Sequence, residues 1–214
     1  MGESLPPNSH ITASCSISRS GVYKNGQPLF PAQDLKTDDL LEAVYQFVNP
    51  AYPRFYKMDN LSKLGFLAAE FLLRNESGVA AYSAEDRGII LANASASLDN
   101  DLKYYQTVKA IASPALFVYT LPNIVIGEIA IRHQFKGENA FFISEDFDAG
   151  FIADYVNNLI NNNTLRCCIC GWLELFKEEF QALLMLVERP ANNSNGGLLL
   201  EKKNIFSIYQ QAHG

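Results

Sequence analysis

Apolar residues recur along this chain with two different periods, and the alternation of the two predicts a mixed α/β protein. Between residues 59 and 75 the period is helical, and it is set by Leu61, Leu64, Ala68 and Leu72. The segment RGIILANAS (87–95) is instead a short, wholly apolar run, which is typical of a strand that helices cover on both faces. From residue 87 onward strands and helices alternate, so the pattern favours a helix-covered, largely parallel sheet.

The same patterns predict five strands and five helices. The strands are predicted over residues 10–18, 87–95, 138–144, 165–174 and 182–188. The helices are predicted over residues 37–48, 59–75, 99–112, 123–135 and 146–162. Three of the helices have residues at their start that favour helix initiation, namely Thr37 or Asp38, Asp59 or Asn60, and Pro122.

The remaining segments are predicted as connections. Residues 21–33 are predicted as a turn-rich loop around the tight-turn signal Asn25-Gly26, and residues 113–123 as a second connection. Residues 190–197 (PANNSNGG) are predicted as another turn-rich loop. The segment after it is compatible with either an edge strand or a short helix.

The composition is that of a soluble globular protein. The chain has 214 residues, of which 48% are hydrophobic and 19% charged, and these proportions exclude wholesale disorder. We expect one domain over residues 1–214, with its core over about 10–190 and a C-terminal hairpin or tail over 191–214.

Charge and hydropathy argue against two classes of partner. A net charge of −6 and a pI near 5.1 argue against binding to nucleic acid. No stretch approaches the roughly 20 apolar residues of a membrane-spanning helix. The N-terminal residues show no signal-peptide pattern, and Pro6 stands where myristoylation requires Ser or Thr. We therefore expect a cytoplasmic protein with no nucleic-acid partner and no membrane association.

Three of the four cysteines lie in one predicted strand. Cys167, Cys168 and Cys170 alternate there with apolar residues, and Cys15 lies in the first predicted strand. A zinc site would need a second ligand pair at a suitable spacing, and none of the three histidines belongs to such a pair. The sequence predicts buried thiols that act as small hydrophobes, with no metal and no cofactor.

The turn between the third predicted strand and the last predicted helix is a candidate site. The start of a helix offers unpaired N–H groups and a partial positive charge, which favour a thiolate nucleophile and stabilise an oxyanion. This turn carries no cysteine, and it places Glu145, Asp146 and Asp148 after Ser144. Acids at a helix start also cap its N–H groups and stabilise the helix by about 0.5–1 kcal/mol each. Capping, a functional role of the carboxylates, such as mimicry of an acylated cysteine, and ligand binding are all compatible with the sequence.

Several segments also occur in a familiar order. They are YPRFYKMDNLSKLGFLAAEFLL (52–73), RGIILANASASLDNDLKYYQTV (87–108) and SPALFVYTLPNIVIGEIAIRHQFKGENAFFIS (113–144). The third contains Leu121-Pro122-Asn123, Gly127, Ile131-Arg132 and Lys136-Gly137. In order and spacing, over about residues 10–190, the chain resembles the N-terminal half of the β-ketoacyl-acyl carrier protein synthases, which are condensing enzymes of the thiolase fold.

This resemblance implies a thiolase-like half-fold, with a mixed, mostly parallel five-stranded sheet covered by helices. In the family a cysteine at the tip of a buried helix accepts the acyl group, and two histidines of the C-terminal half assist. Counting without gaps from Gly137 places Asp146 at the cysteine position, and the histidine motifs lie in the half that the resemblance does not reach. A carboxylate nucleophile would form an anhydride that water destroys, so we expect no ketosynthase activity from this chain alone.

The resemblance also implies a protein partner. In the family two subunits pair through the strand before the nucleophile, which here comprises Asn139, Ala140, Phe141, Phe142 and Ile143. Condensing systems for polyketides or polyene pigments include inactive subunits, the chain-length factors, that dimerise with an active one. We therefore expect a homodimer, or a heterodimer with a full-length ketosynthase, in fatty acid, polyketide or aryl polyene pigment biosynthesis, with acyl carrier protein as a further partner.

Two other functions are compatible with the sequence. The chain could be an enzyme acting on acyl carrier protein or coenzyme A thioesters, with Asp146 or Glu145 as the base. It could also be an acyl-binding module with an aromatic pocket. The candidate pocket residues, which are equally compatible with a core, are Tyr104, Tyr105, Phe117 and Tyr119. We interpret His133 as a surface or packing residue rather than a base.

Overall fold

The structure, a computed structural model, describes residues 9–189 and 197–211. One mixed sheet forms the centre of this part of the chain. The strands are β1 (His10–Ser18), β2 (Gly21–Lys24), β3 (Gln27–Pro31), β4 (Arg87–Asn93), β5 (Asn139–Ile143), β6 (Cys167–Phe176), β7 (Glu179–Glu188) and β8 (Leu198–Leu199). The α-helices are α1 (Thr37–Val48), α2 (Asn60–Leu73), α3 (Leu98–Val108), α4 (Pro114–Val118), α5 (Ile124–His133), α6 (Ala149–Asn161) and α7 (Lys202–Gln211).

The five predicted strands form the centre of this sheet. The strand order is β3-β2-β1-β7-β6-β4-β5, and β8 pairs with β1. β4 pairs in parallel with β5 and β6, whereas β7 is antiparallel to β6 and β1. Four of the five central strands therefore run in one direction. This arrangement confirms the predicted mixed sheet covered by helices. The predicted number of five strands is wrong, because β2, β3 and β8 bring the described strands of this sheet to eight.

The prediction of a loop over residues 21–33 is wrong, because this segment contains the hairpin of β2 and β3. Asn25 and Gly26 form its two-residue turn with φ angles of 51° and 74°, as the turn signal predicts. Pro28 and Pro31 interrupt the apolar alternation, which hides the second strand from pattern analysis. β3 is an edge strand, where proline is tolerated because the missing N–H has no ladder partner to lose.

The C-terminal segment forms both of the elements between which the sequence did not decide. After β8 has paired with β1, α7 packs against α6 through buried Ile205 and partly buried Ile208. The predicted loop over 190–197 falls, apart from Gly197, outside the described residues. A further correction concerns the connection over 113–123, which contains the short helix α4.

The structure confirms one of two predicted helix caps and contradicts the other. Asp59 is the cap of α2, where its carboxylate accepts the N–H of Ser62 at 3.0 Å. The expectation that Thr37 or Asp38 caps α1 is wrong. The N–H of Thr37 donates instead to the carboxylate of Glu178, which lies in the turn between β6 and β7, at 2.9 Å.

The sheet separates two apolar layers. α1, α2 and α5 cover one face, and α6 and α7 cover the other. α2 is almost wholly buried, and Gly65 lets it approach its neighbours closely, since an added Cβ would lie 2.4 Å from a methyl of Val125 and 2.8 Å from one of Leu173. Across residues 9–189 and 197–211, no helix has the length and apolar character needed to cross a bilayer.

Candidate functional site

The candidate turn lies at the carboxyl end of the parallel strands. β5 ends at Ile143, and the N–H of Ser144 donates to the carbonyl of Asn93, the last residue of β4, at 3.0 Å. The hydroxyl of Ser144 donates to the carbonyl of Asp146 at 2.9 Å, and α6 begins at Ala149. In open α/β sheets this end of the strands is where ligands usually bind.

The three acids of the turn have different roles. Asp148 is the N-cap of α6, and its Oδ1 accepts the N–H of Phe151 at 2.9 Å. Glu145 and Asp146 are exposed, and neither carboxylate accepts a hydrogen bond from a residue that the structure describes. The capping interpretation is therefore correct for Asp148 alone. The other two carboxylates lack the burial and the polar partners that are typical of a catalytic base.

Aromatic side chains pack beside the start of α6. The ring centroid of Phe147 lies 5.8 Å from that of Trp172 and 4.7 Å from that of Tyr209 on α7. Trp172 is only 4% exposed, so it is a core residue. α7 thus contributes a side chain directly to the surroundings of the candidate turn.

The four cysteines are free and buried, as the sequence predicts. Burial raises the pKa of Cys15 and of Cys170 to about 12. Burial also raises the pKa of the Cys167 and Cys168 thiols well above the ordinary range. A thiolate is the nucleophilic form of cysteine, so these residues do not supply an acyl acceptor. Among the described residues, no group of three or more His, Cys, Asp or Glu side chains is placed to hold a metal ion.

His133 lies at the end of α5 and faces α2. Its Nε2 is 3.2 Å from Oε1 of Glu70, and Arg132 donates to the same oxygen at 2.7 Å. Arg132 also donates to the carbonyl of Pro50 at 2.9 Å. These contacts tie two helices together, which agrees with the interpretation of His133 as a packing residue.

The four aromatic residues of the predicted acyl pocket differ in exposure. Tyr119 is buried, and its hydroxyl donates to Glu128 at 3.3 Å. Tyr105 and Phe117 are exposed, while the ring of Tyr104 lies 5.5 Å from that of Phe117. The core interpretation is therefore correct only for Tyr119.

A cavity of about 420 Å³ lies elsewhere, between β1, the turn of the β2–β3 hairpin and α7. Hydroxyl groups of Thr12, Ser14 and Ser16 line one wall, and Ile208 and Gln211 of α7 contribute to another. None of its lining residues is charged, and none belongs to the candidate turn.

The predicted interface strand β5 lies at the end of the sheet. In the part of the chain that the structure describes, β4 is its only neighbouring strand. Ile89 donates its N–H to the carbonyl of Glu138, and Ser144 donates to Asn93. Because backbone groups alternate in direction along a strand, the N–H and C=O groups of Asn139, Phe141 and Ile143 point to the open edge.

The side chains of β5 differ in exposure. Asn139 and Ile143 are exposed, and Ala140, Phe141 and Phe142 are half-buried. Phe141 packs against the layer that contains α2, whereas Ala140 and Phe142 pack against the layer of α6. The ring of Phe142 contacts two rings of α6, those of Phe151 at 4.8 Å and Tyr155 at 5.0 Å. β5 therefore has an open, largely apolar edge with aromatic residues beside it.

One apolar surface has no counterpart among the sequence predictions. Large apolar side chains of α3 and of the segment after it are exposed, among them Leu102, Tyr105 and Ile111. The helical period of α3 is visible in the sequence. The period alone does not show which face of a helix meets the core.

The chain matches no family model and no curated protein in sequence. Solved structures match its fold. The ishigamide ketosynthase/chain length factor has a TM-score of 0.62 at 18% identity, over 88% of this chain and 63% of that chain. The structure of AntDE:AntF, a type II PKS acyl-carrier protein in complex with its ketosynthase, has a TM-score of 0.59 at 14% identity, over 85% and 62%.

A third match is the ketosynthase ApeO in complex with its chain length factor ApeC from Xenorhabdus doucetiae. Its TM-score is 0.54 at 12% identity, over 96% of this chain and 92% of that chain. The chain therefore has a ketosynthase-like fold of the thiolase type. It spans about three fifths of the length of the first two matched chains and nearly all of the third.

Proposed function

We propose that this chain is a non-catalytic, chain-length-factor-like protein that pairs through β5 with a full-length ketosynthase. The pair would act in fatty acid, polyketide or aryl polyene biosynthesis. The observation that carries the proposal is the open apolar edge of β5, which leads directly into a helix start that has no thiol. An exposed strand edge is a template for pairing with another chain.

The chemistry of the turn supports a non-catalytic role. The position that matches the family's cysteine is Asp146, and its carboxylate is exposed to water. The cap position that would favour an anionic nucleophile is already occupied by Asp148. Because the four thiols are buried, no alternative cysteine replaces the missing one.

The matched structures support a ketosynthase as the partner. Two of them contain a ketosynthase together with a chain length factor, and the matched chain of the ApeO–ApeC complex has nearly the length of this one. A chain with this fold is therefore compatible with a subunit of such a pair. The AntDE:AntF structure contains an acyl-carrier protein bound to its ketosynthase. We infer that a carrier protein would reach the present chain through its ketosynthase partner.

Activity measurements separate this proposal from the two alternatives. The purified chain is incubated with malonyl and acyl thioesters, alone and with its ketosynthase, in the wild-type and Asp146→Ala forms. We expect no turnover by the chain alone and no effect of Asp146→Ala on the pair. Turnover by the chain alone that Asp146→Ala abolishes would establish an enzyme instead. A rise of the melting temperature with fatty acyl ligands, without ketosynthase binding, would favour an acyl-binding module.

A further inference from the structure

The cavity between β1, the turn of the β2–β3 hairpin and α7 is a second candidate site. Its volume of about 420 Å³ lies within the range of about 300–1,000 Å³ that is typical of small-molecule sites. In the sheet, β7, β6 and β4 separate β1 from β5, so the cavity is remote from the predicted interface strand. The side chains of its walls define the kind of ligand that it accepts.

One face of β1 supplies hydroxyl groups to the cavity. Ala13, Cys15 and Ile17 face the layer of α2. Because side chains alternate along a strand, Ser14 and Ser16 face the other side, where they line the cavity. Ser16 is only 7% exposed, and neither serine hydroxyl has a hydrogen-bond partner among the residues that the structure describes. Since an unpaired buried hydroxyl costs free energy, a ligand that bonds to it gains affinity.

The hairpin turn forms another wall, and its geometry is fixed. Oδ1 of Asn25 accepts the N–H of Ser14 at 2.7 Å, and the N–H of Asn25 donates to the carbonyl of Ser14 at 2.9 Å. These two bonds fasten the turn to β1 and leave the side-chain NH₂ group of Asn25 as a donor. Tyr23 lies opposite Ser16 in the sheet, and its hydroxyl donates to the carbonyl of Ser20 at 3.0 Å. A wall that is ordered before binding loses less conformational entropy when a ligand binds.

Apolar side chains complete the lining of the cavity. They include Ile11, Leu183 and Leu198 from strands of the sheet and Ile208 from α7. A ligand in the cavity therefore contacts hydrocarbon as well as hydrogen-bonding groups. This combination is typical of sites for small molecules, in which apolar residues supply contact area and a few polar groups fix the orientation.

The lining disfavours charged ligands and purely apolar ligands. None of the lining side chains is charged, and an ion that leaves water without a partner is strongly disfavoured. A fatty acyl chain would cover the hydroxyl groups of Ser14 and Ser16 without bonding to them, which is also unfavourable. A ligand with several hydroxyl groups meets both conditions, because each ligand hydroxyl donates and accepts as the serine hydroxyls do.

We propose that this cavity binds a small uncharged polyhydroxylated molecule, such as a monosaccharide or a cyclic polyol. The hydroxyl groups of Ser14 and Ser16 would bond to hydroxyl groups of the ligand, and Asn25 would donate to another. The apolar residues of the lining would cover the C–H surface of the ligand. This site goes beyond the proposed pairing with a ketosynthase and does not depend on it.

Titration of the isotope-labelled full-length chain with glucose and with inositol, followed by NMR, tests the site. We expect at least one of the two to shift the amide signals of Ser14, Ser16 and Asn25 until saturation. Glucuronate, in which a carboxylate replaces the hydroxymethyl group of glucose, is the charged comparison. Hexanol, which has a single hydroxyl on an apolar chain, is the apolar comparison. Both should bind at least tenfold more weakly.

Substitutions in β1 locate the binding. Ser16→Ala removes a hydroxyl that has no partner in the free chain, so it should raise the Kd about fivefold without lowering the melting temperature. Ser14→Tyr should abolish binding, because the larger side chain occupies the cavity. Ser18→Ala is the matched control and should bind like wild type. Ser18 lies on the same face of β1, but it does not line the cavity.

The outcomes decide this inference separately from the proposed function. It is overturned if neither glucose nor inositol gives a saturable shift, or if glucuronate or hexanol binds as tightly as they do. It is also overturned if Ser16→Ala binds like wild type. These results leave the pairing with a ketosynthase untouched, since that pairing is measured with a second protein and uses the opposite side of the sheet order. If Ser14→Tyr does not fold, Ser16→Ala carries the test.

Discussion

At the scale of single residues, the surroundings of each thiol decide its chemistry. Cys15 and Cys167 face the layer of α2, and Cys168 and Cys170 face the layer of α6, so both sides of the sheet enclose cysteines. Burial disfavours the thiolate and raises each pKa. The sequence predicts this burial because the cysteines alternate within apolar strands.

We predict that iodoacetamide at neutral pH leaves the thiols of the folded chain unmodified. The reason is that alkylation requires an accessible thiolate, and the urea-unfolded chain should react at all four positions. Intact-mass measurement over time follows the reaction. Ile143→Cys places one thiol on an exposed position of β5 and provides the control, since it should react once. Fast labelling of a native cysteine would contradict the structure.

A second residue-scale prediction concerns Glu70 and pH. Burial tends to raise the pKa of Glu70, but the neighbouring side chains of His133 and Arg132 outweigh it, so the folded pKa lies below the ordinary value of 4.5. The resulting stabilisation is present above the unfolded pKa and is lost as the pH falls through the lower folded pKa. Urea unfolding between pH 6 and 3 should show this loss in wild type.

Glu70→Gln serves as the comparison. It should unfold with a free energy about 1 kcal/mol lower at pH 6, since a charged hydrogen bond is weakened at a partly exposed site. The difference from wild type should shrink as the pH falls. A constant difference across this range would show that the ionised form of Glu70 is not what stabilises the contact between α2 and α5.

At the scale of elements, the start of α6 separates a structural acid from one that has no structural role. Asp148→Ala removes the cap and should lower the free energy of unfolding by about 1 kcal/mol. Asp146→Ala should change the free energy of unfolding by less than about 0.5 kcal/mol. The carboxylate of Asp146 is exposed and does not cap an N–H group of α6. Urea unfolding measures both. Equal losses in the two variants would contradict the assignment of the cap.

Local caps can be predicted from sequence, and distant ones cannot. Asp59 and Asp148 lie three residues before the N–H groups that they accept, so the sequence brings both partners together. Thr37 meets Glu178 only because the turn between β6 and β7 folds back onto α1. The same limit applies to the candidate turn. The sequence predicts the strand, the turn and the helix, but only the structure shows which acid of the turn caps α6.

At the scale of the whole molecule, the five central strands and the helices between them were predicted, because each carries its own period. Strand order and the β8 pairing depend on contacts between distant segments and required the structure. The exposure of the apolar face of α3 could not be predicted for a related reason. Leu102 and Tyr105 form a normal apolar face in the sequence, and only the position of Asn100 in the structure shows that this face is outward.

The open edge of β5 is the feature on which the proposed function depends, and it can be blocked with little change elsewhere. The N–H of Ile143 points away from β4, so Ile143→Pro removes a donor from the open edge and no hydrogen bond from the sheet. Ile143→Ala is the matched control, because it removes the exposed side chain but keeps the N–H.

The mass of the complex in solution, measured by light scattering on a mixture of this chain with its full-length ketosynthase, is the most direct test. We predict a heterodimer for wild type and for Ile143→Ala, and separate proteins for Ile143→Pro. A heterodimer that persists in Ile143→Pro, or a wild-type chain that stays separate from the ketosynthase, would contradict the account.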